Sequence, residues 1–396
     1  MKQIAQTDEL AELLFHVKQG AGLLPERLDD RAMLAIRALT RWQAGLGEAL
    51  TVPQRAGLSL PMLREGAADW IALQRPERFE RLFGLEGVAG DGVERAGLGS
   101  TWLGDGALPA LLEAFVLAVL AGGPHLFRVG RLQAPLFDRL LEALQEEAGG
   151  QPFASIRWNR AGDRVLRPLL RALDHLTLYG SNETLANIEG ELAGMDDPSP
   201  RLIAFGHRSS LLWIDGLAVA DASEGEMTAL GAAIARDLAT WDQRGCMAPH
   251  TLWLVDGSQT DLVRLLHAIG AAMESLSLRW PAGAVSRETV EQSFLLGEQA
   301  AFAGQLIEGA EFRIMTGVDA RARRGPGGRT LRMAAVARDE AERWLRDEPT
   351  STIGWFGAPP TPEMADIRLV AVGEMQATGI DRLHDGARRL APMLGR

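Results

Sequence analysis

Short apolar runs alternate with amphipathic segments along most of the chain, beginning at about residue 96. The runs include "HLTLYG" at 175–180 and "TLWLVD" at 251–256, and the segments between them are long enough to form helices. Buried strands that alternate with crossover helices are typical of a parallel sheet. The pattern therefore predicts an α/β body that extends over the remainder of the sequence.

The predicted α/β body contains sequence signals for the beginnings and ends of helices. "LPALLEAFVLAVLAGGP" reads as a helix with Pro109 in its first turn and a stop at the Gly pair 122–123, followed by a strand at 125–129. Ser223 and Glu226 have the spacing of a capping box, which predicts a helix from there to about Trp241. That helix brings the chain to Cys246.

Residues 1–95 have a different pattern, helical with a polar surface. Leu10, Leu13, Leu14 and Val17 follow the i, i+3, i+4, i+7 spacing of one buried helix face. No residue set in this region suggests chemistry, so we interpret it as a helical N-terminal region.

The composition of the chain limits the classes of protein to which it can belong. With 396 residues and 46% hydrophobic content, the chain is expected to form two lobes or an extended assembly. A net charge of −11 without a Lys/Arg run argues against nucleic acid as a partner. The single cysteine cannot form an internal disulfide, and no leader or membrane span is evident, so we expect a cytoplasmic location.

Cys246 is the most informative candidate for chemistry. A lone cysteine can be a small buried hydrophobe, but Cys246 follows Gly245 in a turn between a predicted helix and a predicted strand. Free backbone N–H groups in such a turn, with the charge of Arg244, would stabilise a thiolate and bind an oxyanion. No cluster with metal-ligand spacing, no Gly-x-Gly-x-x-Gly motif and no Walker motif accompanies it.

Four segments resemble the fatty acyl-CoA reductases of bacterial bioluminescence, a branch of the aldehyde dehydrogenase superfamily. They are "DQRGCMAPHTLWL" around Cys246, "LTLYGSNETLANI" at 176–188, "RLIAFGHRSSLLWID" at 201–215 and the C-terminal ending at 372–396. Their order and spacing extend the resemblance over roughly residues 96–396. It implies an aldehyde-dehydrogenase-like α/β fold with a Rossmann-like cofactor lobe and an α/β catalytic lobe.

The resemblance also implies an organisation into domains. Residues 96–243 would form the NAD(P)-binding domain, residues 244–360 the catalytic domain with Cys246, and residues 361–396 a C-terminal segment that returns to the cofactor lobe. The helical region 1–95 would precede them.

The resemblance assigns cofactor-binding residues as well. Gly180, Ser181 and Glu183 would form the turn and helix N-terminus that face the cofactor pyrophosphate, an arrangement suited to anions, and Gly206 belongs to the Gly-His-Arg segment. Arg128 and Arg131 correspond to positions around the adenosine ribose, where two guanidiniums would attract a 2′-phosphate. We therefore expect NADPH as the cofactor, with NADH as the alternative and a solvated strand end as the other interpretation of the arginines.

Two departures from the family pattern carry chemical information. Ala204 occupies the position of the Glu that activates water in ordinary aldehyde dehydrogenases, so hydrolysis of a thioester lacks a base and reduction is favoured. Asp105 occupies the position of an Asn whose amide holds the oxyanion. Either Asp105 is protonated, or a neighbouring group takes the role, or the alignment slips, or the enzyme is impaired.

The implied function is NADPH-dependent reduction of an acyl thioester, either acyl-CoA or an acyl-carrier protein, to an aldehyde through an acyl-enzyme at Cys246. One alternative is an oxidative aldehyde dehydrogenase. Another is a degenerate, non-catalytic member that binds an acyl or nucleotide ligand as a partner subunit. The resemblance is also compatible with a homodimer and with acyl-transferring partner enzymes.

Overall fold

The protein is represented by a computed structural model that describes residues 2–3, 7–88, 93–106, 108–157, 163–195, 200–321, 324–361 and 366–396. The chain divides into two compact units. Unit 1 comprises residues 1–56, 67–207 and 379–396, and unit 2 comprises residues 57–66 and 208–378.

Unit 1 is built on a parallel sheet whose strands lie in the order β1-β4-β3-β2-β5-β6. The strands are β1 Lys2–Gln3, β2 Gly99–Leu103, β3 His125–Val129, β4 Phe153–Arg157, β5 His175–Tyr179 and β6 Arg201–Phe205. Strand β2 pairs with β3 on one side and with β5 on the other. The strand order therefore reverses at β2, which is where ligands bind in open α/β sheets.

Helices of unit 1 bury the faces that the sequence predicts. They are α1 Thr7–Ala21, α2 Leu28–Ala44, α4 Pro76–Glu86, α5 Leu108–Ala121, α6 Ala134–Ala148, α7 Asp163–Ala172, α8 Asn182–Ala193 and α14 Leu390–Met393, while α3 Leu60–Leu73 begins in unit 2. The predicted α1 face is confirmed, because Leu10, Leu13 and Val17 join the core that includes Ile156 of β4. Helix α5 is apolar and buried on nearly every side.

A buried acidic residue anchors the C-terminal segment inside unit 1. Glu113 of α5 pairs with Arg389 and, at 2.9 Å, with Arg382. Burial alone would raise the pKa of Glu113, but the two guanidiniums outweigh it and hold the pKa well below its usual range. Glu86 accepts the backbone N–H groups of Arg389 and Ala391 at 2.8 and 3.0 Å. Residues 379–396 are therefore tied to unit 1 by charge and by backbone hydrogen bonds.

Unit 2 has a second sheet, ordered β13-β12-β7-β8-β11-β10-β9 and parallel except for the β9–β10 pair. Its strands are β7 Ser209–Asp215, β8 Pro249–Val255, β9 Leu306–Glu308, β10 Arg313–Met315, β11 Thr330–Val336, β12 Thr350–Phe356 and β13 Arg368–Ala371. Its helices are α9 Gly216–Ala220, α10 Glu224–Ala239, α11 Gln259–Arg279, α12 Arg287–Ala303 and α13 Arg338–Asp347.

Two sequence predictions for unit 2 are confirmed in detail. Ser223 and Glu226 form the reciprocal bonds of a capping box at the start of α10, and the run around "TLWLVD" forms β8. Trp213 and Trp253 are fully buried and belong to the unit 2 core, so these tryptophans serve packing. Among the described residues, no helix has the length and apolar character needed to cross a membrane.

The predicted domain boundaries differ from the two units. The boundary expected at residue 243 lies inside unit 2, because β7 (209–215) pairs with β8 and β12 and so belongs to the second sheet. Residues 1–95 do not stand apart either, since most of them pack into unit 1 and residues 57–66 join unit 2. Of the segment 361–396, only residues 379–396 join unit 1, because β13 extends the unit 2 sheet.

Two buried histidines lie side by side at the beginning of β3 and β5. The rings of His125 and His175 are 5.5 Å apart between centroids, and Thr101 is 2.8 Å from the Nε2 atom of His125. Neither ring nitrogen of His175 has a hydrogen-bond partner within the described part of the chain. Burial lowers the pKa of His125 and lowers that of His175 to about 4.

Acidification should therefore destabilise unit 1 through His175. Below pH 6.5 the unfolded chain takes up a proton that the folded protein refuses, so this contribution is complete above pH 6.5 and is lost as the pH falls towards 4. Between these values, the free energy of unfolding of the native protein should fall by roughly 3 kcal/mol more than that of His175→Leu. Urea unfolding at a series of pH values measures the difference. The exposed His16→Gln variant is the control, and parallel curves for the native protein and His175→Leu would contradict the expectation.

Candidate active site

The nucleophile candidate follows a strained backbone segment. Trp241, Asp242 and Gln243 have φ values of 57°, 51° and 59°, so three successive residues with side chains adopt the left-handed conformation. Each such residue costs about 1–3 kcal/mol unless the surroundings impose it. The chain then makes a tight turn, in which the N–H of Ala248 donates to Gly245 at 3.1 Å, and enters β8. Strain of this kind is typical of functional sites.

Gln243 closes the base of the loop that carries Cys246. Its Nε2 donates to the carbonyl oxygen of Pro249 at 2.7 Å, across the loop, and to that of Thr330 at 2.8 Å. Its Oε1 accepts the N–H of Thr330 at 2.8 Å. The side chain is 2% exposed, so these bonds are shielded from water. Gln243 therefore fixes both ends of the loop and joins it to the start of β11.

The flanking side chains are also held. The ring of Trp241 packs against Gly66 of α3, where a Cβ atom would lie 2.6 Å from the ring, so this contact requires glycine. The guanidinium of Arg244 donates to the carbonyl oxygens of Gly57 and Ala284. These bonds hold Arg244 against the loops at residues 57 and 284, and the effect of its charge on Cys246 stays a prediction.

Cys246 is exposed, whereas the groups that hold it are buried. The hydroxyl of Ser210 donates to the carbonyl oxygen of Cys246 at 2.6 Å and accepts the N–H of Thr352 at 3.1 Å. The hydroxyl of Ser351 lies 4.0 Å from Sγ of Cys246. Sequence reasoning missed both serines. They become neighbours of Cys246 because the parallel strands β7, β8 and β12 begin at the same edge of the sheet.

His250, the nearest histidine in sequence, is not equipped to act as a base. It enters β8, and burial together with the charges of Arg332 and Arg324 lowers its pKa to about 4. Its Nδ1 is buried and has no hydrogen-bond partner among the residues described. The half-buried side chain is therefore neutral at physiological pH and only weakly basic.

The predicted cofactor residues lie in unit 1, at the carboxyl ends of its strands. Gly180 and Ser181 follow β5, and the hydroxyl of Ser181 accepts the N–H of Thr184 at 3.1 Å, which caps α8. Glu183 is exposed in the first turn of that helix. Gly206 follows β6, at a point where a Cβ atom would lie 2.6 Å from Oδ1 of Asn182. The elements that the resemblance assigns to a pyrophosphate are thus brought together at one sheet edge.

His207 and Ala204 also lie at this edge. The N–H of exposed His207 donates to Oδ1 of Asn182 at 3.1 Å, so Asn182 joins the end of β6 to the start of α8. Ala204 is exposed on β6, where it pairs with Leu178. Its methyl group offers no base at this position.

Three arginines gather at the ends of the neighbouring strands β3 and β4. The Arg128 guanidinium lies 5.7 Å from the ring centroid of Trp102, and burial lowers its pKa. Arg131 is exposed, and its carbonyl oxygen accepts a bond from Arg157 at 3.4 Å. Sequence reasoning missed Arg157, because only the strand pairing places it beside Arg131. The cluster is suited to a phosphate group.

Asp105 links two loops of unit 1. Its Oδ1 accepts the N–H of Leu132 at 2.8 Å, and the chain approaches so closely that a Cβ atom on Gly130 would lie 2.3 Å from the same oxygen. The side chain is exposed, and one of its oxygens is engaged in organising the turn after β3. Asp105 belongs to unit 1 and Cys246 to unit 2, so the predicted site residues fall into two groups, one in each unit.

Solved structures with the same architecture are aldehyde dehydrogenases. Aldehyde dehydrogenase 21 from Physcomitrella patens, in complex with the reaction product succinate, matches with a TM-score of 0.70 and 13% identity, over 99% of this chain and 89% of that one. The aldehyde dehydrogenase KauB from Pseudomonas aeruginosa matches with a TM-score of 0.69 and 14% identity, over 90% of this chain and 78% of that one.

A variant of proline utilization A from Bradyrhizobium japonicum matches with a TM-score of 0.67 and 15% identity, over 99% of this chain. This chain spans only 45% of that longer protein. At these identities the likeness establishes the fold alone, and the expected aldehyde-dehydrogenase-like fold is confirmed. No curated protein matches the sequence.

The sequence itself matches a family described as "Acyl-CoA reductase (LuxC)" over residues 112–395, which is most of the chain. The match includes the Cys246 loop, the α8 turn and the C-terminal segment that Glu113 anchors. The expected resemblance to the acyl-CoA reductases is therefore confirmed, and the chain belongs to the acyl-CoA reductase (LuxC) family.

Proposed function

We propose that the protein reduces an acyl thioester to an aldehyde with NADPH, through an acyl-enzyme at Cys246. The observation that carries this proposal is the setting of the only cysteine, which is exposed on a loop held rigidly at both ends. Such a loop is suited to a nucleophile, because the sulfur is accessible while its position is fixed.

The first step concerns residues of unit 2. The thiolate of Cys246 attacks the acyl carbonyl carbon, and the substrate thiol departs with its electron pair and takes up a proton, leaving the acyl group as a thioester on Cys246. Ser351, whose hydroxyl is 4.0 Å from Sγ, favours the thiolate, and Ser210 holds the backbone of the nucleophile in place. Acyl-CoA and acyl-carrier protein both present the required thioester.

The thioester must then survive without hydrolysis. Ala204 carries no base at the position where ordinary aldehyde dehydrogenases activate water, and the lowered pKa of His250 makes it a weak base. A bound NADPH would supply the hydride that reduces this thioester to the level of an aldehyde. The absence of a base at residue 204 supports reduction over the oxidative alternative.

Residues of unit 1 fit a phosphorylated dinucleotide. The capped turn at Gly180 and Ser181 precedes a helix N-terminus, which suits a pyrophosphate, and the close approach at Gly206 leaves backbone accessible at the adjacent strand end. Arg128, Arg131 and Arg157 lie at the ends of the neighbouring strands β3 and β4, and their charges would attract a 2′-phosphate. NADPH is therefore the proposed cofactor, with NADH as the weaker alternative.

A second candidate function rests on Asp105. A carboxylate that accepts the Leu132 N–H cannot donate to an oxyanion, so a protein that binds an acyl or nucleotide ligand without turnover is the alternative. Such a protein would serve as a partner subunit to acyl-transferring enzymes. Covalent labelling of Cys246 and the rate of aldehyde formation, both measured below, separate this candidate from the reductase.

Cys246→Ala should abolish both covalent labelling by acyl-CoA and aldehyde formation, because the chain has no other thiol. Intact-protein mass spectrometry measures the label, and NADPH oxidation measures turnover. The variant should bind NADPH as the native protein does, which shows that it is folded. Labelling that persists in Cys246→Ala would refute the acyl-enzyme, and a native protein that neither labels nor turns over would support the binding alternative.

Arg131→Glu should weaken NADPH binding by roughly tenfold to a hundredfold while changing NADH binding much less, because it removes a partner of the 2′-phosphate and adds a repulsive charge. Calorimetric titration with each cofactor measures the two affinities. Arg139→Glu is a matched control, since Arg139 is exposed on the nearby helix α6 and undergoes the same change in charge. Equal losses for NADPH and NADH would exclude the assignment.

Because the resemblance assigns Asp105 to the position of the Asn that holds the oxyanion, Asp105→Asn should raise the rate of aldehyde formation by about tenfold or more, through a gained amide donor and a lost negative charge. The Asn Oδ1 can still accept the Leu132 N–H, so the loop should be preserved. Asp105→Ala removes the charge without adding a donor and should gain less. Identical rates in the native protein and Asp105→Asn would place Asp105 away from the reacting carbonyl.

A further inference from the structure

Successive side chains of the segment before Cys246 bind in opposite directions. Gln243 binds β8 and the start of β11, whereas Asp242 and Arg244 both bind the loop at 282–284. Oδ2 of Asp242 accepts the N–H of Gly283 at 3.0 Å. The left-handed segment 241–243 is thus bound both by strands β8 and β11 and by the loop at 282–284. Asp242 is the charged residue of this segment.

Asp242 forms a buried ion pair with Arg329. Oδ1 of Asp242 accepts bonds from Nε of Arg329 at 3.0 Å and from Nη2 at 2.7 Å, and the two side chains are 3% and 0% exposed. Nη1 of Arg329 lies 3.5 Å from Glu311, which itself accepts the N–H of Ala282. The ion pair therefore joins the segment before Cys246, the start of β11 and the 282–284 loop.

The placement of this ion pair restricts the backbone beside the nucleophile. A run of three left-handed residues with side chains is unfavourable by itself, so without its partners the segment 241–243 would relax to a right-handed or extended conformation and displace the residues that follow it. Arg329 is also left-handed, with φ of 59°, and its carbonyl oxygen accepts the N–H of Arg313 at 3.1 Å, which ties it to β10. Both ends of the ion pair are thus fixed by the sheet and its loops.

We propose that the Asp242–Arg329 ion pair positions Cys246 for nucleophilic attack by holding the left-handed segment 241–243. This inference rests on the proposed function of Cys246 as the nucleophile. Asp242 and Arg329 are positioning residues, because they contact each other, the loop at 282–284 and strand β10. The ion pair keeps the thiolate beside the hydroxyl of Ser351.

The experiment measures the reactivity of Cys246 without relying on turnover. Iodoacetamide alkylates the single cysteine, and intact-protein mass spectrometry gives the rate constant for the full-length native protein and its variants at a temperature where all are folded. Arg329→Met and Asp242→Asn should lower the rate at least tenfold. Arg329→Lys should recover part of it, because it retains the charge. Since Cys246 is already exposed, a loosened loop adds no access, and a fall in rate therefore reports lost thiolate stabilisation.

Glu113→Gln is the matched control, because it breaks a buried ion pair in unit 1 and should lower thermal stability while leaving alkylation unchanged. Ser351→Ala should slow alkylation in the native background and have little further effect in Arg329→Met. If Arg329→Met does not fold, Asp242→Asn decides the test. A folded variant that alkylates at the native rate, or additive effects of Ser351→Ala and Arg329→Met, would overturn the proposal. A native protein that alkylates readily but is never acylated by acyl-CoA would instead refute the proposed function.

Discussion

The candidate site depends on a backbone conformation that three residues would not adopt by themselves. Trp241, Asp242 and Gln243 are all left-handed, and together their strain amounts to several kcal/mol, on the order of the net stability of a small domain. A different contact restrains each residue. The ring of Trp241 packs against Gly66, Asp242 pairs with the buried Arg329, and Gln243 bonds to strands β8 and β11. The strain is therefore compensated by three separate contacts, and the loop that carries Cys246 is positioned by several elements at the edge of the unit 2 sheet.

Unit 1 depends on a comparable restraint of different chemistry. Glu113 lies in an apolar and buried helix, where an unpaired carboxylate would be strongly unfavourable, and Arg382 and Arg389 compensate its charge. Removing one partner of such a group costs more than the pair contributes, since it leaves the other charge buried. Detaching the C-terminal segment would therefore leave Glu113 buried without a counter-charge, and this penalty adds to the loss of the segment's own contacts.

Sequence reasoning predicted elements well where the signal is local. The capping box at Ser223 and Glu226, the strand at 125–129 and the buried face of α1 depend on residues a few positions apart, and the structure confirms them. The boundary expected at residue 243 stays a prediction, and the two compact units divide the chain elsewhere because β7 pairs with strands of the second sheet. The pairing of β7 with β8 and β12 places it in the second sheet, and the residues of β7 alone do not predict that pairing.

The same distinction applies to the site. Cys246 could be found from its turn, since a lone cysteine between a helix and a strand is visible in sequence. Ser210, Ser351, Arg157 and Arg329 could not, because each lies at least tens of residues from the group it supports and becomes a neighbour only through strand order. The roles of the cofactor residues and of Asp105 remain predictions.

The return of residues 379–396 to unit 1 has a consequence for biosynthesis. A chain emerging from the ribosome completes the β2–β6 sheet long before Arg382 and Arg389 are made, and during that interval Glu113 lies in an apolar helix without its partners. The segments of unit 2 all precede residue 379. Unit 1, which contains the proposed cofactor site, therefore depends on a segment that is translated after all of unit 2.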